Sequence, residues 1–212
     1  MTFRQSLIML AVGAVLSWSC DSKDSVESAA PGDDAPETIE FSAAQAIYYG
    51  DDGGTGLSDM WCIRLYTDMA QDEFGNPVGP GQLMQISCNT SQESKLTIDC
   101  LEGVFSEPSG TDDYSVGTFN PGYMLSIDMP DGTIEAPAMS YFGDVVDGST
   151  EFVPDLLNEG YVAIDINSDG TFTIEGVLTG EALVDRYFTY TGILETIDKS
   201  SPRAMLKSLR RR

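Results

Sequence analysis

The chain reads Tyr123-Met124-Leu125-Ser126-Ile127-Asp128, then Met129-Pro130-Asp131-Gly132, then a second apolar run from Thr133 to Phe142. An Asp-Gly pair between two such runs is a strong hairpin signal, because both residues tolerate the positive φ angles of a tight turn. The stretch therefore predicts two strands joined by a short turn, and this pattern extends to most of the chain.

Short runs of the same kind recur from Phe41 onward, separated by Gly, Asp, Asn and Pro. In Met60 to Thr67 the side chains alternate, with Trp61, Ile63 and Leu65 on one face. The other predicted strands are Ala44 to Gly50, Gly81 to Asn89, Lys95 to Leu101, Tyr114 to Phe119, Gly160 to Ile166, Thr171 to Leu178 and Arg186 to Leu194. This spacing predicts an all-β fold, either an antiparallel β-sandwich or a closed barrel of about ten strands.

One short pattern occurs twice. Ala46-Ile47-Tyr48-Tyr49-Gly50-Asp51 is echoed by Met139-Ser140-Tyr141-Phe142-Gly143-Asp144. One interpretation is a fold of two weakly repeated halves. The favoured interpretation is local: an aromatic pair ends a strand, Gly permits a sharp turn, and Asp caps that turn.

Composition excludes several classes of function. The 212-residue chain has a formal charge of −23, and 42% of its residues are hydrophobic, which is enough for a core. Because a protein this acidic repels phosphate backbones, nucleic acid is not an expected partner. The chain has no histidine, which removes Ser-His-Asp and Cys-His catalysis and the usual zinc and iron ligand sets. We therefore expect no cofactor and no catalytic residue; paired-carboxylate hydrolysis of glycosides is the chemistry that remains.

The N-terminus predicts export. Arg4 precedes an apolar run from Leu7 to Leu16, and small Ser17 and Ser19 lie before Cys20. The run is shorter than the roughly 20 residues of a spanning helix, so residues 1–19 are predicted to be a signal peptide. Cleavage before Cys20 is compatible with ordinary signal peptidase, or with the lipoprotein peptidase after the thiol has received diacylglycerol. The second alternative predicts lipidation of Cys20 by fatty-acyl chains such as palmitate.

Composition also divides the mature chain. Residues 20–40 are polar and acidic and predict a flexible tether, residues 41–198 predict the β domain, and residues 199–212 form a basic tail. The tail is expected either to be disordered, which is favoured, or to form a short helix with Met205, Leu206 and Leu209 on one side. Such a helix would contact anionic lipid or the acidic body.

Three cysteines remain after Cys20. Because three is odd, Cys62, Cys88 and Cys100 allow at most one internal disulfide, with three possible pairings. Cys88 with Cys100 is slightly preferred, since both fall on apolar positions of neighbouring predicted strands. Three buried free thiols fit equally well, because cysteine is common in cores.

The chain resembles bacterial lipoproteins, in particular those of Bacteroidetes. Ser19-Cys20 after a leucine-rich run and the nearby Lys23-Asp24 are similar to their lipidation and surface-export signals. Tyr48-Tyr49-Gly50-Asp51 and the closing run Phe188 to Leu194 resemble Bacteroidetes lipoproteins of unknown function. The resemblance implies an all-β protein anchored in the outer membrane through Cys20 and exposed at the cell surface; a periplasmic or secreted protein is the alternative.

Two kinds of binding site are considered. Asp165, Asn167 and Asp169 match the first half of an EF-hand calcium loop, but the twelfth position is Gly176 rather than Glu, and strands flank the loop. A hairpin turn with Gly170 at positive φ is therefore favoured, with no metal. Exposed aromatics among Tyr66, Tyr114, Tyr123 and Tyr161 are candidates for stacking on sugar rings, whereas Trp61 is expected in the core.

These observations predict a non-catalytic binding or structural module whose membrane partner is reached through a lipid anchor. Its other partner is expected to be a glycan or a protein. The alternative is an accessory protein of glycan capture or a carboxylate glycosidase.

Overall fold

The computed structural model describes residues 36–51, 55–67, 69–71, 77–92, 97–110, 113–130, 132–145 and 153–200. The predicted signal peptide, Cys20 and residues 201–212 lie outside these ranges. Within them the chain is all-β, as predicted, with a short 3₁₀ turn at Ile98–Leu101.

The strands are numbered in chain order. They are β1 (Thr38–Glu40), β2 (Ala43–Gly50), β3 (Asp59–Tyr66), β4 (Ala70–Gln71), β5 (Pro77–Val78), β6 (Gly81–Thr90), β7 (Gly103–Ser106), β8 (Phe119–Asn120), β9 (Tyr123–Met129), β10 (Gly132–Ala138), β11 (Tyr141–Val145), β12 (Asp155–Ile166), β13 (Phe172–Gly180), β14 (Asp185–Gly192) and β15 (Glu195–Asp198). The turn between β9 and β10 lies where Asp131-Gly132 predicts it.

One large sheet dominates. Its strand order is β1-β14-β13-β12-β11-β6-β3-β2-β15, with β7 added to β12 and β8 added to β6. The path ends at β1 and β15, so the sheet is not closed and the barrel alternative is wrong. The chain passes from one end of this path to the other twice, between β1 and β2 and between β14 and β15. The sheet is therefore folded over on itself around a single core, as in a β-sandwich.

The sheet is mixed, which corrects the prediction that it is antiparallel. Strand β1 runs parallel to β14, with Thr38 opposite Tyr187, and β15 runs parallel to β2, with Glu195 opposite Gln45. These pairings join the first strands of the domain to the last ones. Residues so distant in sequence leave no local pattern that specifies their direction.

The core forms where alternate side chains of the folded sheet meet. Trp61, Ile63 and Leu65 are all fully buried, as the alternation in this stretch predicts. They belong to one core cluster with residues from the other half of the sheet, for example Ile174 and Phe188. Tyr66 on the opposite face of β3 is also buried, so this part of the sheet is covered on both sides.

Arg186 contacts both strands at the short junction between β11 and β12. These two strands pair at only two positions, Tyr141 with Leu156 and Phe142 with Asp155. From β14, the Nη2 and Nε of Arg186 donate to Asp155 Oδ2 at 2.7 and 3.0 Å. Its guanidinium carbon lies 4.2 Å from the centre of the Phe142 ring. Asp155 Oδ1 also accepts the backbone N–H of Ala182 at 3.0 Å.

Two predicted strands and one boundary of the predicted tether are corrected. Lys95 to Leu101 is not a strand where it is described, because Ile98–Leu101 forms a 3₁₀ turn that buries Leu101. Thr133 to Phe142 is two strands, because Met139 between them has φ of 63°. Thr38–Glu40 lies inside the predicted tether yet pairs with β14, where Ile39 packs against the core.

The two copies of the aromatic-Gly-Asp pattern have different structures. In the first, Gly50 ends β2 with φ of 68°, as the local interpretation expects. In the second, Gly143 and Asp144 lie within β11, where Gln82 Nε2 donates to Asp144 Oδ1. The interpretation as a strand-ending turn is therefore wrong for the second copy.

Candidate functional site

The exposed face of strands β12, β13 and β14 is the best candidate for a binding surface. Alternation directs Val162, Ile174 and Phe188 into the core, where each is at most 2% exposed. The neighbouring residues of the same strands consequently point to solvent. The face extends to β7 on one side and β1 on the other.

A row of apolar side chains crosses this face. Tyr161 on β12 is opposite Val177 on β13, and Val177 is opposite Tyr187 on β14. Tyr161 is 46% exposed, and Val177 and Tyr187 are partly exposed. Since neighbouring strands are about 4.8 Å apart, the two tyrosines lie about 10 Å apart on a continuous sheet. That separation resembles the length of two linked sugar rings.

A shallow groove of about 260 Å³ is lined by the two tyrosines of this row, Tyr161 and Tyr187. Glu175, Thr38 and Thr189 supply polar groups, while Gly176 and Phe188 form part of the lining. A Cβ at Gly176 would lie 2.3 Å from the carbonyl oxygen of Tyr161, so the close approach of β12 and β13 requires glycine here. The volume is near the lower limit of about 300 Å³ for ligand pockets, which suits a segment of a longer ligand lying across the sheet.

A second pocket lies at the end of β2 and β6 and has a volume of about 70 Å³. The amides of Asn89 and Asn120 bond each other on its wall at 2.8 and 3.1 Å, and Thr118 Oγ1 accepts the second Nδ2–H of Asn89 at 2.9 Å. The space holds about two water molecules at roughly 30 Å³ each. We interpret this network as structural support for the strand ends, because its polar groups already bond one another.

No protein-family model, curated protein or solved structure matches this chain.

The four aromatic candidates named from the sequence occupy different environments. Tyr161 lies on the groove, and Tyr123 is equally exposed but lies on the β9–β10 hairpin. Tyr114 is half-buried beside the small pocket, and Tyr66 is 2% exposed, so the expectation of sugar stacking by Tyr66 is wrong. Trp61 is in the core, as predicted.

Tyr187, the second tyrosine of the groove, is not among the residues predicted from the sequence. A signal existed, since Phe188 and Tyr190 are both apolar and alternate with Tyr187 and Thr189. If the aromatic pair faces the core, Tyr187 must face solvent.

The calcium candidates form the hairpin turn between β12 and β13. Asp169 Oδ1 accepts the N–H and hydroxyl of Thr171 at 3.0 and 2.7 Å, which lowers the pKa of that carboxyl. The amide of Asn167 donates to Thr171 and Thr173, and Gly170 has φ of 83°. These bonds close the turn within the chain. Among the described residues, no three His, Cys, Asp or Glu side chains form a group suited to a metal.

All three cysteines of the β domain are free thiols, so the preferred Cys88–Cys100 disulfide is not formed. Burial raises the pKa of the Cys62 thiol to about 11, and burial also raises the pKa of Cys88. Neutral buried thiols are poor nucleophiles, so these residues serve as packing groups. Separately, no helix among the described residues is long and apolar enough to cross a membrane.

Proposed function

We propose that this chain is a non-catalytic binding module of an outer-membrane lipoprotein, held at the cell surface through Cys20. Its ligand is a glycan chain that lies across β12, β13 and β14. The observation that carries the proposal is the solvent-facing row of Tyr161, Val177 and Tyr187, whose two tyrosines line a groove on the sheet.

The chemistry of the row suits a sugar. Pyranose rings present apolar C–H faces, and each ring stacked on a tyrosine removes on the order of 50 Å² of apolar surface from water, worth about 1 kcal/mol. The Glu175 carboxylate and the Thr38 and Thr189 hydroxyls lie beside the aromatic row, where they can bond to sugar hydroxyls. Two such rings with a few hydrogen bonds give the weak affinity expected of a single glycan-binding face.

Binding is better supported than hydrolysis. Glycosidases use two carboxyl groups on either side of the scissile bond. Among the described residues that line the groove, Glu175 is the only one with a carboxylate. Phosphorylated or sulfated glycans are disfavoured by the charge of −23, so the proposal is for neutral chains.

Single substitutions in the mature protein test the glycan site. Tyr161→Ala and Tyr187→Ala should each weaken retention on neutral polysaccharides about 5- to 10-fold, for a loss of about 1 kcal/mol or slightly more. Tyr123→Ala is the matched control, since Tyr123 is 45% exposed but lies outside the groove. Affinity electrophoresis against a panel of polysaccharides measures retention. A wild-type protein that binds no neutral glycan, or three variants that lose binding equally, would refute the proposed site.

The anchor is tested separately. Cys20→Ser should move the protein from the membrane fraction to the soluble fraction. If mass spectrometry of the N-terminal peptide shows no acyl chains in the wild type, the lipoprotein part of the proposal is wrong.

A further inference from the structure

The β9–β10 hairpin stands apart from the large sheet. Among the described strands, β9 and β10 pair only with each other, from Tyr123 opposite Ala138 to Met129 opposite Gly132. Every residue of β9 is exposed, and the residues of β10 are exposed or half-buried. A two-stranded sheet with both faces in water is only marginally stable, so a partner that covers one face would stabilise the hairpin.

The hairpin has one apolar and one polar face. Register places the following residues together on the apolar face: Tyr123, Leu125, Ile127, Met129, Gly132, Ile134, Ala136 and Ala138. The five large side chains among them are between 36% and 52% exposed. On the opposite face, Thr133 donates to Asp128 at 3.0 Å and Ser126 donates to Glu135. Water suits the polar face, whereas the apolar face lacks a partner among the described residues.

We propose that the apolar face of this hairpin is the contact surface between two copies of the chain. Its side chains are self-complementary, because Tyr123, Leu125 and Met129 each lie opposite a small residue, Ala138, Ala136 and Gly132. Large side chains of one copy can fill the space over small ones of the other, as they do between packed sheets.

Charge favours a second copy over a charged partner. The face has no carboxylate, ammonium or guanidinium group, and Asp128 and Glu135 point away from it. An acidic or basic peptide would therefore find no charged group to pair with on this surface.

The exposed area predicts a weak dimer. The five large side chains and two alanines expose on the order of 400 Å² of apolar surface per copy. A dimer formed through this face would therefore bury about 800 Å² in total. Stable complexes bury about 1,200 to 2,000 Å² in total, so the contact should form only at high local concentration. The rest of each copy is strongly acidic, so salt should strengthen the dimer by screening repulsion.

Sedimentation equilibrium tests this proposal. The sample is the mature chain carrying Cys20→Ser, at protein concentrations from 10 µM to 1 mM and at salt concentrations of about 0.05 and 0.5 M. We expect a monomer–dimer equilibrium that is stronger at the higher salt. Ile127→Thr with Ile134→Thr keeps strand propensity but removes apolar area, and should weaken dimerisation at least tenfold. Met124→Thr is the matched control, since Met124 is 41% exposed on the opposite face.

Hydrogen exchange of the β9 and β10 amides gives a second readout, in which protection should rise with protein concentration. A protein that is monomeric at 1 mM in both salts would overturn the proposal. So would dimers unaffected by the double substitution, or weakened equally by Met124→Thr. Concentration-independent protection that disappears when residues 201–212 are removed would assign the face to the tail of the same chain instead. Glycan retention should be unchanged in the Ile127→Thr, Ile134→Thr double variant, in Met124→Thr and in the chain without residues 201–212, since the groove lies on β12, β13 and β14.

Discussion

Replacing Asp155 with Asn should destabilise the protein by about 2 to 3 kcal/mol. The carboxylate accepts two bonds from Arg186 at 2.7 and 3.0 Å and one from the Ala182 N–H at 3.0 Å. Removing one partner of a buried ion pair costs about 3 to 5 kcal/mol, because the other charge stays desolvated. The Arg186 and Asp155 side chains are 19% and 10% exposed, and Asn still accepts the Ala182 bond, so a lower value is expected.

Urea unfolding followed by the fluorescence of buried Trp61 measures this loss, and the melting midpoint should fall by roughly 5 to 10 °C. Glu175→Gln is the matched control, because it makes the same change on the exposed sheet face and should shift stability by less than about 0.5 kcal/mol. Combining Asp155→Asn with Arg186→Gln should show a coupling of at least about 1 kcal/mol. A loss no larger than that of the control, or zero coupling, would refute the role given to this pair.

Three other perturbations have defined outcomes. Burial raises the pKa of the Cys62 thiol to about 11 from an ordinary value near 9, so the stability that this thiol contributes is complete below pH 9 and is lost as the pH rises to 11. Cys62→Ala should therefore reduce the fall in unfolding free energy between pH 9 and pH 11 by about 2 to 3 kcal/mol. A pH profile of stability that is the same in wild type and variant would contradict the buried thiol. Millimolar calcium should shift the melting midpoint by less than about 2 °C relative to matched ionic strength. A larger shift that disappears in Asp165→Asn with Asp169→Asn would show that the turn is a calcium site. Gly176→Ala should destabilise the protein by about 1 to 3 kcal/mol, because the Cβ of the alanine would collide with the Tyr161 carbonyl. An unchanged free energy of unfolding in urea would show that β12 and β13 approach each other less closely.

Local patterns predicted much of the fold. Alternation in Met60 to Thr67 defined the inward face of β3, and Asp131-Gly132 located the hairpin turn. Other elements depend on distant contacts. Met139 has positive φ although it is not glycine, and the residues around it are held by bonds from Gln85 Nε2 to Met139 O and from Leu157 N to Ser140 O. A sequence window around residue 139 contains neither donor.

The groove was only half predictable. Alternation could identify Tyr161 and Tyr187 as outward-facing, but their placement in one row depends on the pairing of β12, β13 and β14. Tyr66 illustrates the opposite case. It alternates with Leu65 as an exposed residue would, yet it is buried because β3 is covered on both faces. Periodicity reports which side of a strand a residue occupies, and the coverage of that side is a property of the whole fold.

The parallel pairs β1–β14 and β2–β15 also have a mechanical consequence. The chain enters the sheet at Thr38, beside Tyr187, and leaves it at Asp198, beside Tyr48. A pull applied between these two points runs along the paired strands rather than across them. The hydrogen bonds of each pair are then loaded in shear and must yield together, whereas a hairpin pulled at its open end unzips one bond at a time. A domain connected in this way should resist stretching between its two ends.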